Sequence, residues 1–201
     1  MSKRLSELNE LFFLLIIQTE ATVGRYRLSA MLEMPEGIIR GIMRSYEREG
    51  YINSRPKAGT FLTKAGEARI DAIFKNANIK NMKIYDFDVF GVGPINAVLQ
   101  VQSGADKVRS GVDQRDAAVK AGANGTVILT YKEGTLRIPG TSEDMCTLSP
   151  EDSERLLREF SLSEGDVVLV SFAEEWWQAL RGALAAAFTF REITRNVGST
   201  I

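Results

Sequence analysis

The 201-residue sequence predicts an α+β protein: a helical N-terminal part closed by a short β-hairpin and a further helix, then a small α/β part with a mixed sheet. Three observations predict it. Apolar residues recur at helical spacing up to about residue 49, and two short strand-like runs about a basic turn follow. From Ile84 onward, apolar runs of strand length alternate with helical stretches. Charge divides with the pattern: residues 1–82 hold 13 Lys and Arg against nine Asp and Glu, a net of +4, while residues 83–201 hold 12 against 17, a net of −5.

Leu5, Leu8, Phe12, Leu15 and Ile16 recur at helical spacing and define a first helix over about 5–19. Gly24 punctuates the loop after it, and residues 26–33 read as a short second helix. Pro35, in the turn Met34-Pro35-Glu36-Gly37, suits the first position of a third helix, where its missing N–H would be unpaired anyway. That helix spans about 36–49. Ile39, Ile42, Met43 and Tyr46 form its apolar face. Arg40, Arg44 and Arg48 form a stripe on the other side. Gly37, Gly41 and Ser45 are expected beside the stripe, where small side chains let a partner approach the backbone. Gly50 ends the helix. Tyr51–Ser54 and Thr60–Leu62 read as strands about the turn Arg55-Pro56-Lys57-Ala58-Gly59, and Thr63 caps a fourth helix over about 64–76.

Helix, helix, helix, strand, basic turn, strand, helix is the winged helix-turn-helix order, assigned here to residues 1–78. The run from Glu49-Gly50-Tyr51-Ile52 through Leu62-Thr63-Lys64-Ala65-Gly66 resembles the wing of many prokaryotic transcriptional regulators. The chemistry suits double-stranded DNA. A major groove about 12 Å wide admits one helix, and arginine can donate two hydrogen bonds to guanine or bind phosphate. Arg40, Arg44 and Ser45 are therefore candidate contacts, Arg48 is placed nearer the backbone, and Arg55 and Lys57 at the turn can reach phosphate or a minor groove. An arginine stripe alone describes a solvated helix face equally well, and Glu47 and Glu49 on the same helix offer it internal partners. Arg25 and Arg27, before the second helix, are weaker phosphate candidates.

Residues 77–83 are polar and read as a linker to a second part, 83–201. Strands are expected at 84–92, 98–102, 126–131 with a returning strand at 135–138, and 167–172, the last apolar enough to be covered on both faces. Helices are expected at 112–121, with Asp113 as N-cap and Asp116 completing a capping box, from Ser149-Pro150, and over 174–190. The alanine-rich final helix implies close packing, on the sheet rather than on a second subunit. Gly91-Val92-Gly93-Pro94 is no phosphate loop, since no GK[ST] follows and Pro94 lacks an N–H. Lys107, Arg109 and Arg115, near the start of a helix, are candidate ligands for a small anion, although a solvated loop has the same composition. Asp86 and Asp88 fall on one face of a predicted strand, too few for a metal site.

Histidine is absent and Cys146 is the single cysteine. Imidazole-based catalysis, a structural zinc and an internal disulfide are thereby excluded, and the lone cysteine fits a reducing, cytoplasmic setting. The apolar run Leu11–Ile17 is far short of the ~20 residues that span a bilayer, so no membrane association is expected. No motif names a cofactor or a reaction.

Gln114-Arg115-Asp116-Ala117-Ala118-Val119-Lys120-Ala121-Gly122-Ala123, the hairpin after it and Gly165-Asp166-Val167-Val168-Leu169-Val170 resemble an uncharacterised archaeal family that joins a winged helix to a C-terminal α/β domain of unknown function. The resemblance brings no catalytic residues. The favoured reading is a DNA-binding transcriptional regulator, a homodimer, whose second part senses a ligand or mediates dimerisation. An enzyme carrying a regulatory winged helix, and a winged helix used to bind protein, stay open.

Overall fold

The computed structural model describes residues 5–55, 59–141 and 143–191. Its first part is α1 (Glu7–Glu20), α2 (Arg25–Leu32), α3 (Glu36–Arg48), β1 (Ile52–Arg55), β2 (Gly59–Leu62) and α4 (Lys64–Asn76). Ser6 caps α1 and Thr63 caps α4, each accepting an N–H of the first turn with its hydroxyl. β1 and β2 pair antiparallel from Ile52↔Leu62 to Arg55↔Gly59. A bridge between Val23 and Thr60 fastens the α1–α2 loop to this hairpin.

The run Leu11–Ile17 is apolar on every side, and the structure uses every side. All seven residues are at most 1% exposed. α2, α4 and β2 pack around α1 from the first part, and α8 (Trp176–Phe188) packs on it from the second. One hydrophobic core therefore runs from Leu11 and Ile39 through to Leu169 and Ala187. Ion pairs border it: Arg69 binds Glu10 through two hydrogen bonds of 2.7 and 2.8 Å, Arg191 reaches Glu7 at 2.7 Å, and Arg181 reaches Glu33 at 3.2 Å. The Arg181 guanidinium also lies over the Phe12 ring, 5.8 Å from its centre.

The expected linker over 77–83 is instead strand. β3 (Ile79–Tyr85) follows α4 after only Ala77 and Asn78, and pairs with β4 (Ile95–Val101). It reads as polar because it is an edge strand whose polar side chains serve α7 (Pro150–Glu159) and the segment just after it: Lys83 donates to Glu159 at 2.8 Å, and Lys80 to Ser161 O at 2.6 Å. A register shift between Ile79 and Asn81 also breaks the alternation. Asp86 and Asp88 lie in the following loop, not on a strand, and Asp88 accepts the N–H groups of Val92 and Gly93.

The rest comprises α5 (Val112–Lys120), β5 (Gly125–Lys132), β6 (Thr135–Arg137), a short α6 (Met145–Leu148), α7, β7 (Val167–Ala173) and α8. The sheet order is β3-β4-β7-β5-β6 and every neighbouring pair is antiparallel, so the mixed sheet expected from the strand–helix–strand pattern is not formed. β4 and β5, joined across α5, do run the same way, since both are antiparallel to β7. They leave a gap one strand wide, and β7 fills it from the opposite direction. Val167 and Leu169 of β7 join the core beneath α8, whereas Val168 and Val170 join a second cluster with Leu156 of α7 and Phe160, the residue that ends that helix. Both faces are covered, which explains the unbroken apolar run.

α8 lies close on the sheet because its contact residues are small. A Cβ on Gly182 would stand 2.4 Å from Ala123 Cβ and 2.6 Å from Ser171 Oγ. The N-cap of α5 is Gly111 (φ 77°), not Asp113, and Asp116 pairs with Arg115 instead of closing a capping box.

Glu159 closes the sheet edge onto α7 by accepting from Lys83 Nζ and, at 2.6 Å, from the Tyr85 hydroxyl. The Lys83 hydrogen bond first, and the Tyr85 bond second, hold its carboxyl below the ordinary range. Burial, reinforced by Glu159, holds the Tyr85 phenol above its ordinary value, so it stays the donor.

Three measurements test this packing. Gly182→Val should destabilise by at least about 1–3 kcal/mol, read as a lower urea midpoint, because neither Ala123 nor the strand can withdraw. Phe12→Ala should cost about 3–5 kcal/mol, and far-UV circular dichroism and the emission of Trp176 and Trp177 should shift to the same lower midpoint, because α1 belongs to one shared core. The Glu159 contribution is present above the unfolded carboxylate pKa of about 4.3 and is lost as pH falls through the lower folded value. Glu159→Gln should therefore flatten the acid limb of the stability–pH curve.

Candidate functional site

α3 is strongly amphipathic, and its polar face looks outward. Ile39, Ile42 and Tyr46 are buried, with the Tyr46 ring edge-on to Phe13 at 5.2 Å, which fixes the rotation of the helix about its axis. Arg40, Arg44 and Glu47, spaced i, i+4 and i+7, then share the exposed outer side, and the half-buried Met43, packed against the core as expected, borders them. Together with Arg25 from the start of α2 and Ser54 from β1, they line an open depression of about 480 Å³. The two neighbouring elements enter because α2 begins beside α3, with Arg25 Nε 3.6 Å from Glu36, and because the hairpin returns past the end of α3.

The electrostatics are asymmetric. Among the described residues, neither Arg40 nor Arg44 has a carboxylate within ion-pair distance, and Glu47 has no cation within that distance. Arg25 differs: its bond to the Tyr26 hydroxyl, and then the Glu36 charge, raise its pKa above the usual arginine value. Arg27 is turned away and held by two hydrogen bonds to Glu20, of 2.9 and 2.7 Å.

Of the residues singled out from the sequence, Arg40 and Arg44 come together in this depression. Arg48 does not line it, and its Nε donates to the Arg44 carbonyl at 3.3 Å. Ser45 is a correction. It is 9% exposed and its hydroxyl donates to Glu49 at 3.2 Å, so it is not a surface contact. Its position on the helix is only about 60° round from Ile42, inside the flank that the core covers. Arg55 lies at the end of β1 with its guanidinium over the Phe61 ring, 5.0 Å from the centre. Lys57 lies outside the described residues. Met43, Glu47 and Ser54 are not among the surface contacts expected from the sequence, although i+3 and i+7 counting from Arg40 finds the first two.

The anion candidates of the second part separate. Lys107 donates to the Phe190 carbonyl at 3.2 Å, Arg109 is exposed, and Arg115 bonds its neighbour Asp116 at 3.1 Å. Only Arg115 of the three lines the depression of about 210 Å³ at the start of α5, alongside Gly111, Val112 and Thr126. Cys146 is half-buried, and its N–H is capped by Asp144. Among the described residues no cluster of three or more metal-ligating side chains occurs, and no helix is long and apolar enough to cross a membrane.

Residues 92–191 match the family described as a domain of unknown function, DUF4443. No curated protein matches the sequence. Among solved structures, the hypothetical protein PH0730 from Pyrococcus horikoshii OT3 aligns over 93% of this chain and 93% of its own, at 24% identity and a TM-score of 0.69. The chain thus carries a stretch similar to DUF4443 on a fold shared, over most of its length, with an uncharacterised Pyrococcus protein.

Proposed function

We propose that residues from about 5 to 77 form a winged helix-turn-helix domain that binds double-stranded DNA, and that the protein is a transcriptional regulator. α3 is the groove-reading helix and the β1–β2 hairpin is the wing. The observation that carries this reading is the depression along α3, where Arg40 and Arg44 stand without carboxylate partners beside Arg25. Unpaired arginines on an outward helix face can neutralise phosphates and release their counterions, and a helix of this diameter fits the major groove. The element order, and the Val23–Thr60 bridge that fixes the hairpin against the helices, support the same reading. The second part acts as a sensor or an oligomerisation unit, and the DNA-binding form is a homodimer working in the cytoplasm, since two half-sites about one helical turn apart match a two-fold axis.

Binding to mixed-sequence duplex across a salt series tests the interface. The wild type should show a steep fall of log K with log salt. Arg40→Ala/Arg44→Ala should weaken binding at every salt and make the slope shallower by about 0.9 for each phosphate that the variant leaves unneutralised. An unchanged slope and affinity would reject the assignment of α3. A solution mass near that of two 22.3 kDa chains at micromolar concentration is expected, and a single-chain mass would reject the dimer.

A further inference from the structure

An acid joins the arginines in lining the depression. Glu47 is one helical turn beyond Arg44 and two beyond Arg40, on the same outer side of α3, and all three line the same 480 Å³ depression. Its carboxylate makes no ion pair among the described residues, so it is not there to hold the arginines in place. The surface consequently offers two sets of unpaired hydrogen-bond donors and one unpaired acceptor.

A phosphate backbone presents acceptors only, so a surface built for phosphate alone is weakened by a carboxylate beside its arginines. A base-pair edge presents both kinds of group. In the major groove guanine shows O6 and N7, which arginine can bridge, and cytosine shows its N4 amino group, which a carboxylate can accept. We infer that Glu47 is a specificity-determining residue: it accepts from a cytosine N4 amino group, while Arg40 or Arg44 reads guanine nearby, so the preferred duplex carries a C·G pair opposite the last turn of α3. This inference rests on the DNA-binding reading above. Glu47 lowers affinity for any duplex and returns that loss only where the amino group is present.

The test is selection from a randomised duplex pool with the full chain, for the wild type, Glu47→Ala and Glu47→Gln. Glu47 is exposed, so thermal melts should match and certify folding. The wild type should enrich a C·G pair at one position, with a penalty on the order of tenfold for its replacement. Glu47→Ala should bind mixed-sequence duplex as tightly or more tightly, yet lose the preference at that position alone. Glu47→Gln should shift that position towards adenine, whose N6 and N7 suit an amide. If both variants keep the wild-type base preference and change only overall affinity, the inference is overturned while DNA binding stands. If the wild type binds no duplex at low salt, both are overturned.

Discussion

Everything in this fold hangs on two turns of helix that have no polar side. Leu11–Ile17 in α1 would be insoluble on any surface, and seven consecutive buried residues require neighbours all the way round. α2, α4 and the hairpin supply part of that enclosure, Tyr46 of α3 adds to it, and α8 supplies the rest. The orientation of α3 follows from this, because Tyr46 packs edge-on to Phe13 of α1 and turns Arg40, Arg44 and Glu47 outward. The surface chemistry of the candidate site is thus set by burial on the opposite side of the same helix.

α8 meets a matching demand. It is enclosed between α1 and the sheet, so both of its broad sides are contact surfaces. Gly182 allows close approach to Ala118 of α5, to Ala123 and to Ser171 of β7. The sheet solves a problem of its own. A crossover through α5 sets β4 and β5 in the same direction without making them neighbours, and β7 completes the hydrogen bonding between them. Charged side chains mark the open edge: Lys83 of β3 bonds to Glu159 of α7, and Lys80 to the carbonyl of Ser161 just beyond it.

Much of this is legible in the residues, and the exceptions have physical causes. α1 to α4 and the hairpin are found from periodicity, Gly50 and Thr63, because each signal is local. β3 escapes such a reading because its polar residues serve a helix some 75 positions later in the chain, a partner that no local pattern reveals. A mixed sheet is the natural expectation because strand–helix–strand usually joins neighbours, and only tertiary pairing tells that β7 intervenes. At the site, Arg40 and Arg44 are readable from helical spacing. Ser45 is misplaced by the same counting because spacing alone does not show how far round α3 the core extends. Arg25 and Ser54 join the depression through elements whose relative placement the sequence does not state. The anion cluster at 107–115 is a compositional signal, and folding disperses it.

The shared enclosure of α1 has a consequence for how this architecture can be taken apart. In many two-part proteins a cut at the junction yields two soluble pieces, each with its own interior. Here a cut near residue 82 would strip α8 from α1 and split β3 between the fragments, leaving apolar surface bare on both. The halves are not interchangeable cassettes. Recombination, truncation or fusion must carry α1 and α8 together, and any influence the second part exerts on the first is transmitted by direct packing rather than along a tether.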